Sequence, residues 1–119
     1  MHELGIARNI VAIVSEHAGE NRVKRVALDI GKLSAVLPES IRFCFDVCSK
    51  DTLLENATLE INEIPGRGRC KSCGAEINLD QLFGSCDCGN LVITCIAGEE
   101  LKIKEIEVYK YVCNLRLLR

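Results

Sequence analysis

The chain has 119 residues, of which 48% are hydrophobic and 27% charged, with a net charge of -2; this is the composition of an ordinary globular domain carrying at most a small extra lobe. There is no basic footprint for nucleic acid, and three Phe, two Tyr and no Trp give no base-stacking platform. The first residues carry Glu3 and Arg8 among spaced apolar positions, unlike a signal peptide, and no apolar run approaches the roughly 20 residues of a membrane span, so a cytoplasmic chain is expected.

Leu4, Ala7, Ile10, Val11, Val14 and Ala18 recur at helical spacing and predict a helix over residues 3–18, stopped by Gly19. From Val23 to Ile30 the pattern alternates, with Val26, Leu28 and Ile30 on one side and Arg25 and Asp29 on the other, and Gly31 ends this strand. A second helix starts near Pro38, where a missing N–H leaves no bond unmade, with Ile41, Cys44, Phe45 and Cys48 as its buried stripe. Residues 57–64 alternate through Ala57, Leu59 and Ile61 until Pro65-Gly66 breaks the strand. Further on, Leu101 and Ile103 share one parity and Ile106 and Val108 the other, which predicts a β-bulge near Lys104–Glu105. The order helix, strand, helix, strand, insertion, strand predicts an α+β fold in which two helices pack on one face of a three-stranded sheet. Its body is discontinuous, residues 1–64 and 99–119, and the tail 109–119 has no assigned structure.

Residues 65–98 differ in kind, holding five of the eight cysteines and six of the nine glycines. A segment this short cannot bury a sufficient core without a metal or disulfides. In a reducing compartment, paired cysteines point to metal or buried thiols. The pairs are Cys70-Lys-Ser-Cys73-Gly74 and Cys86-Asp-Cys88-Gly89. Two thiols two or three residues apart on a tight turn can face one ion, and a following glycine lets backbone N–H groups approach the sulfurs. Four thiolates close the tetrahedral shell that zinc prefers, so a structural zinc in a small zinc-ribbon-like lobe is expected, with folding coupled to metal binding. A redox dithiol would need its Cys-x-x-Cys at the start of a helix following a strand, which this glycine-rich stretch does not offer.

The chain begins Met1-His2-Glu3. A bulky second residue disfavours removal of Met1, so a free α-amine, the His2 backbone nitrogen and the His2 imidazole can close adjacent chelate rings around one ion. Nitrogen-rich sites with deprotonated amides are square-planar and suit Ni(II) or Cu(II). Glu3 can add its backbone nitrogen or its carboxylate. By spacing alone, a solvated terminal histidine explains the same residues.

Met1-His2-Glu3-Leu4, Gly31-Lys-Leu-Ser34 leading into Pro38-Glu39, the cysteine pairs and Gly98-Glu-Glu-Leu-Lys-Ile-Lys-Glu-Ile-Glu-Val108 together resemble the HypA/HybF family of nickel metallochaperones of [NiFe]-hydrogenase maturation. The likeness runs from residue 1 to about 108. It implies an α/β nickel-binding domain with an inserted four-cysteine zinc domain, nickel ligands at Met1, His2 and Glu3, and zinc ligands at Cys70, Cys73, Cys86 and Cys88. It also implies transported Ni(II), a partner GTPase HypB, the hydrogenase large subunit as recipient and, in some organisms, supply to urease. The second pair departs from the family's usual Cys-x-x-Cys, and an alternative alignment places Ser85 at its first position. The tail after Val108 is longer than the family pattern.

Cys44 and Cys48 face one way on the second helix and are read as buried thiols, and Cys95 as a strand core residue. Cys113 is uninformative, and His17 suits a helix end. No nucleophile–base pair, phosphate loop or His-Glu-x-x-His occurs, so no enzymatic role is expected. The competing reading is a zinc-ribbon adaptor that binds protein or RNA without nickel. An exposed strand edge or the apolar tail makes a homodimer a candidate.

Overall fold

The computed structural model describes residues 2–80, 84–109 and the backbone of 112–117. Helix α1 spans Glu3–Ala18 and buries Ala7, Ile10, Val11, Val14 and Ala18. Its end is fixed by Gly19, which takes φ 65° and donates its N–H to Ser15 O at 3.2 Å. Leu4, expected on the buried face, is 40% exposed and lines an open recess with the start of the second helix. Helix α2, Pro38–Ser49, has its proline in the first turn and buries Ile41, Phe45 and Ser49. Cys44 and Cys48 are half-buried on the flank of that stripe, so the burial expected of them is only partial; Cys48 does pack against the core.

Strand β1 (Val23–Gly31) lies between two neighbours. It pairs in parallel with β2 (Thr58–Ile64), reached through α2. It also pairs antiparallel with the strand Leu101–Val108, which is β6 once the three short strands of the insertion are counted. Val26, Leu28 and Ile30 join Ile103 and Ile106 against Ile10, Val14, Ile41 and Phe45 in one core. The expected bulge is present. Ala27 pairs with Glu105 and Leu28 with Ile103, which leaves Lys104 unpaired and exposed and changes the buried parity within β6. The opposite face of this sheet is laced by ion pairs. Arg25 reaches Glu60, Glu105 and Glu107 at 3.0 Å each, so three strands share one guanidinium.

Beyond the expected three strands, the tail adds a fourth. Strand β7 (Val112–Leu117) pairs antiparallel with β6 and makes the order β2-β1-β6-β7.

The inserted segment carries β3 (Gly66–Cys70), β4 (Glu76–Leu79) and β5 (Ile93–Ala97), paired antiparallel in the order β4-β3-β5. The radius of gyration is 17.0 Å, against about 13.5 Å for a compact domain of this length, so the second sheet extends the molecule instead of thickening it. Where the two sheets meet, Gly31 donates to Glu100 O and Leu33 to Gly98 O, both at 2.7 Å. A Cβ at Gly31 would fall 2.0 Å from the Gly98 carbonyl oxygen, so only glycine permits this crossing.

Candidate functional site

Two tight turns present the paired cysteines. At the end of β3, Cys70 N–H donates to Ala75 O and Gly74 N–H to Cys70 O, both at 2.9 Å. In the second turn Cys86 N–H donates to Asn90 O at 3.0 Å and Gly89 N–H to Cys86 O at 2.8 Å. Gly74 and Gly89 sit at φ 77° and 94°, which a side chain would strain. The glycine after each pair is therefore what closes each turn.

The four sulfurs lie within 4.8 Å of one another. Cys70 Sγ is 3.6 Å from Cys88 Sγ, and Cys73 Sγ is 3.5 Å from Cys86 Sγ. Four sulfurs bonded at 2.3 Å to one tetrahedral ion would stand about 3.8 Å apart, so the donor set fits a single zinc-sized cation. Cys86 and Cys88 complete the set despite their short spacing, and Ser85 is exposed. Cys70 and Cys86 are buried while Cys73 and Cys88 are exposed, so one side of the cluster faces the β-sheet and the other faces water.

The electrostatics favour a cation. The Cys70 thiol is lowered to about 6, first by the N–H of Cys73 and, against the effect of burial, by the Asn90 side chain. At Cys73 the Ala75 N–H acts to lower the thiol, yet the neighbouring Cys86 and Cys70 leave it raised. Cys86 is raised too: the Cys88 N–H and the Cys73 thiol pull it down, but contact with Cys88 and Cys70, together with burial, outweighs them. Four thiolates crowded together repel unless a positive ion sits among them. Asn90 was missed in the sequence. Its amide donates to Cys70 Sγ at 3.5 Å and to Val92 O at 3.1 Å, and its oxygen accepts from Val92 N–H. An asparagine directly after the Cys-x-Cys-Gly turn was the available signal.

Cys95 stands apart from this cluster, half-buried, with its thiol 3.3 Å from Ala97 O and raised by burial and by Glu99.

Of the amino-terminal candidates, Met1 lies outside the described residues. His2 is the exposed residue just before α1, extended at φ -93° and ψ 102°, and its side chain makes no capping bond. Its carbonyl accepts from Ile6 N–H at 3.1 Å and is thereby occupied. The backbone N–H groups of the first turn have no partner within the helix. Glu3 turns its carboxylate to the N–H of Leu37 at 3.3 Å; its own backbone amide and that of Leu37 hold it below the ordinary carboxylate range. His2 and Glu3 line an open recess of about 480 Å³ between the starts of α1 and α2, with Glu39, Ser40, Phe43 and Cys44.

Comparison with known proteins gives consistent results. A family profile described as hydrogenase/urease nickel incorporation, metallochaperone, hypA matches residues 1–108. The chain is 64% identical over 108 residues to the hydrogenase maturation factor HypA of Nostoc punctiforme, covering 91% of this chain and 96% of that one. It is 48% identical over 109 residues to the factor of the same name from Geobacter metallireducens, covering 91% and 99%. In fold it is similar to the solution structure of the Ni metallochaperone HypA from Helicobacter pylori, with a TM-score of 0.64, 24% identity and coverage of 91% and 97%. A second HypA solution structure superposes with a TM-score of 0.69. Strand β7 lies beyond the stretch matched by the profile.

Proposed function

The chain belongs to the HypA family of hydrogenase/urease nickel incorporation metallochaperones, and from that premise we propose that it carries Ni(II) at Met1, His2 and Glu3 to the large subunit of a [NiFe]-hydrogenase. A zinc ion at Cys70, Cys73, Cys86 and Cys88 stabilises the inserted lobe, residues 65–98, within the body formed by 1–64 and 99–119. As a member of a maturation-factor family it is a binding and delivery protein, not an enzyme. The observation that carries the reading is His2: an exposed, uncapped imidazole at the start of a helix, in a chain of a nickel-handling family.

The two sites suit opposite tasks. Four thiolates leave zinc no open position for water or substrate, so that ion supplies structure and relieves the mutual repulsion of the thiols. At the amino terminus, amide nitrogens that are not committed to helix bonds are available to Ni(II), whose square-planar preference separates it from Zn(II). The His2 imidazole and a free α-amine complete adjacent chelate rings. Reprotonation of these nitrogens returns the metal, so acid or a competing ligand set on a partner releases it. HypB, docked near α1, would disturb this open site, and a urease maturation apparatus is a second recipient of the same cargo.

Nickel titration of the zinc-loaded chain and of His2→Ala tests the assignment. Loss of tight nickel binding in the variant, with the helical circular dichroism unchanged, is expected. Equal affinity in both would overturn it.

A further inference from the structure

We propose that the Glu3 carboxylate is a positioning group for the nickel-binding terminus, fastened by the Leu37 N–H, and not itself a nickel ligand; this rests on the amino-terminal site proposed above.

Glu3 Oε2 accepts from Leu37 N–H at 3.3 Å across 34 residues of sequence. Leu37 is the extended residue before α2, at φ -90° and ψ 116°, and its side chain is 62% exposed. Its side chain does little to hold it: its carbonyl accepts from Ile41 N–H at 3.1 Å as α2 begins, and its backbone amide makes the contact with Glu3. The donor is held from behind. Val36 N–H is bound to Ser34 Oγ at 3.3 Å, Leu33 N–H to Gly98 O at 2.7 Å and Lys32 N–H to Ile64 O at 2.9 Å. Buried Leu33 itself lies close against Gly66 and Gly98. The carboxylate thus meets an amide anchored to the sheet junction.

On the other side of the peptide, His2 O is held by Ile6 N–H. The chain is fastened at the last of the residues that must wrap a metal. Closing chelate rings orders Met1 to Glu3, and a segment already pinned at Glu3 loses less freedom on binding. A carboxylate engaged by Leu37 is committed to that amide, which leaves Glu3 to contribute its backbone nitrogen. When the metal takes that nitrogen, the Leu37 N–H still holds the carboxylate.

The test is a double-mutant cycle on nickel release from the full-length, zinc-loaded chain, using Glu3→Ala, Leu37→Pro and the double variant. Proline deletes the Leu37 N–H and draws φ from -90° toward about -65°. Each single change should speed release about three- to ten-fold, and the double variant should be no faster than the faster single one. The visible spectrum of the bound nickel should be the same in Glu3→Ala as in wild type. A wild-type rate in Leu37→Pro, multiplied effects in the double variant, or a shifted spectrum in Glu3→Ala would overturn the proposal. Should Leu37→Pro fail to fold, hydrogen exchange at the Leu37 amide decides: faster exchange in Glu3→Ala supports the clamp, and unchanged exchange refutes it. His2→Ala separates the two levels. If it keeps nickel, the site assignment itself fails; if it loses nickel while the clamp variants release at the wild-type rate, only the clamp fails.

Discussion

The four-stranded sheet buries Val26, Leu28, Ile103 and Ile106 against Phe45, Ile41, Ile10 and Val14, whereas within residues 65–98 the buried hydrophobic side chains among the described residues are Leu79 and the thiols Cys70 and Cys86. Leu91 and Val92, the large apolar residues nearest the second turn, are 76% and 55% exposed. One part is therefore held by apolar burial and the other has almost none to use. Short strands with one-sided burial do not hold together unaided. On the proposed reading, a metal held by the four thiolates takes the place of a core, and the two parts should fail under different treatments.

The sharpest break should come from removing the metal. Chelation, or Cys70→Ser, should abolish amide protection in β3, β4 and β5, because a structural zinc contributes on the order of 10 kcal/mol to such folds. The helical signal of α1 and α2 should persist. Protection of the short strands in metal-free protein would mean that the lobe has another source of stability. A smaller effect is expected from the other side. Phe45→Ala in the body should cost about 3–5 kcal/mol in chemical denaturation and leave zinc content unchanged. A loss of zinc in that variant would show that the two parts fold as one.

The smallest effect concerns the outer face of the sheet. The Arg25 side chain, by its bond to Glu107, holds that carboxyl below the ordinary 4.5. Because the folded value is the lower one, this stabilisation is present above pH 4.5 and disappears as pH falls through the lowered value. Denaturation midpoints of wild type and Arg25→Met should therefore differ at neutral pH and converge in acid. A gap that is constant with pH would show that Arg25 acts through packing alone.

Features carried by local pattern were legible in the sequence. The helix stripes, the alternation of β1 and the parity change that places the bulge at Lys104 follow from side-chain period. The cysteines were legible because few other arrangements explain thiols in pairs beside glycines. What was missed depends on partners far along the chain. The tail carries no strong alternation, and it becomes a strand by pairing with the edge that β6 leaves open. Ser49, not Cys44 or Cys48, completes the buried stripe of α2, and which flank of a helix is covered depends on neighbours far along the chain. The contact of Glu3 with Leu37 joins residues 34 apart and needs the turn through Ala35, at φ 64°, to form.

The separation of scaffold metal from cargo is tested most directly by metal analysis of two purified forms, one beginning at Met1 and one with a single residue added before it. Both should retain one zinc per chain, and only the form beginning at Met1 should bind one further, exchangeable nickel. Undiminished nickel binding by the extended form, or nickel that displaces zinc from the four cysteines, would contradict the account.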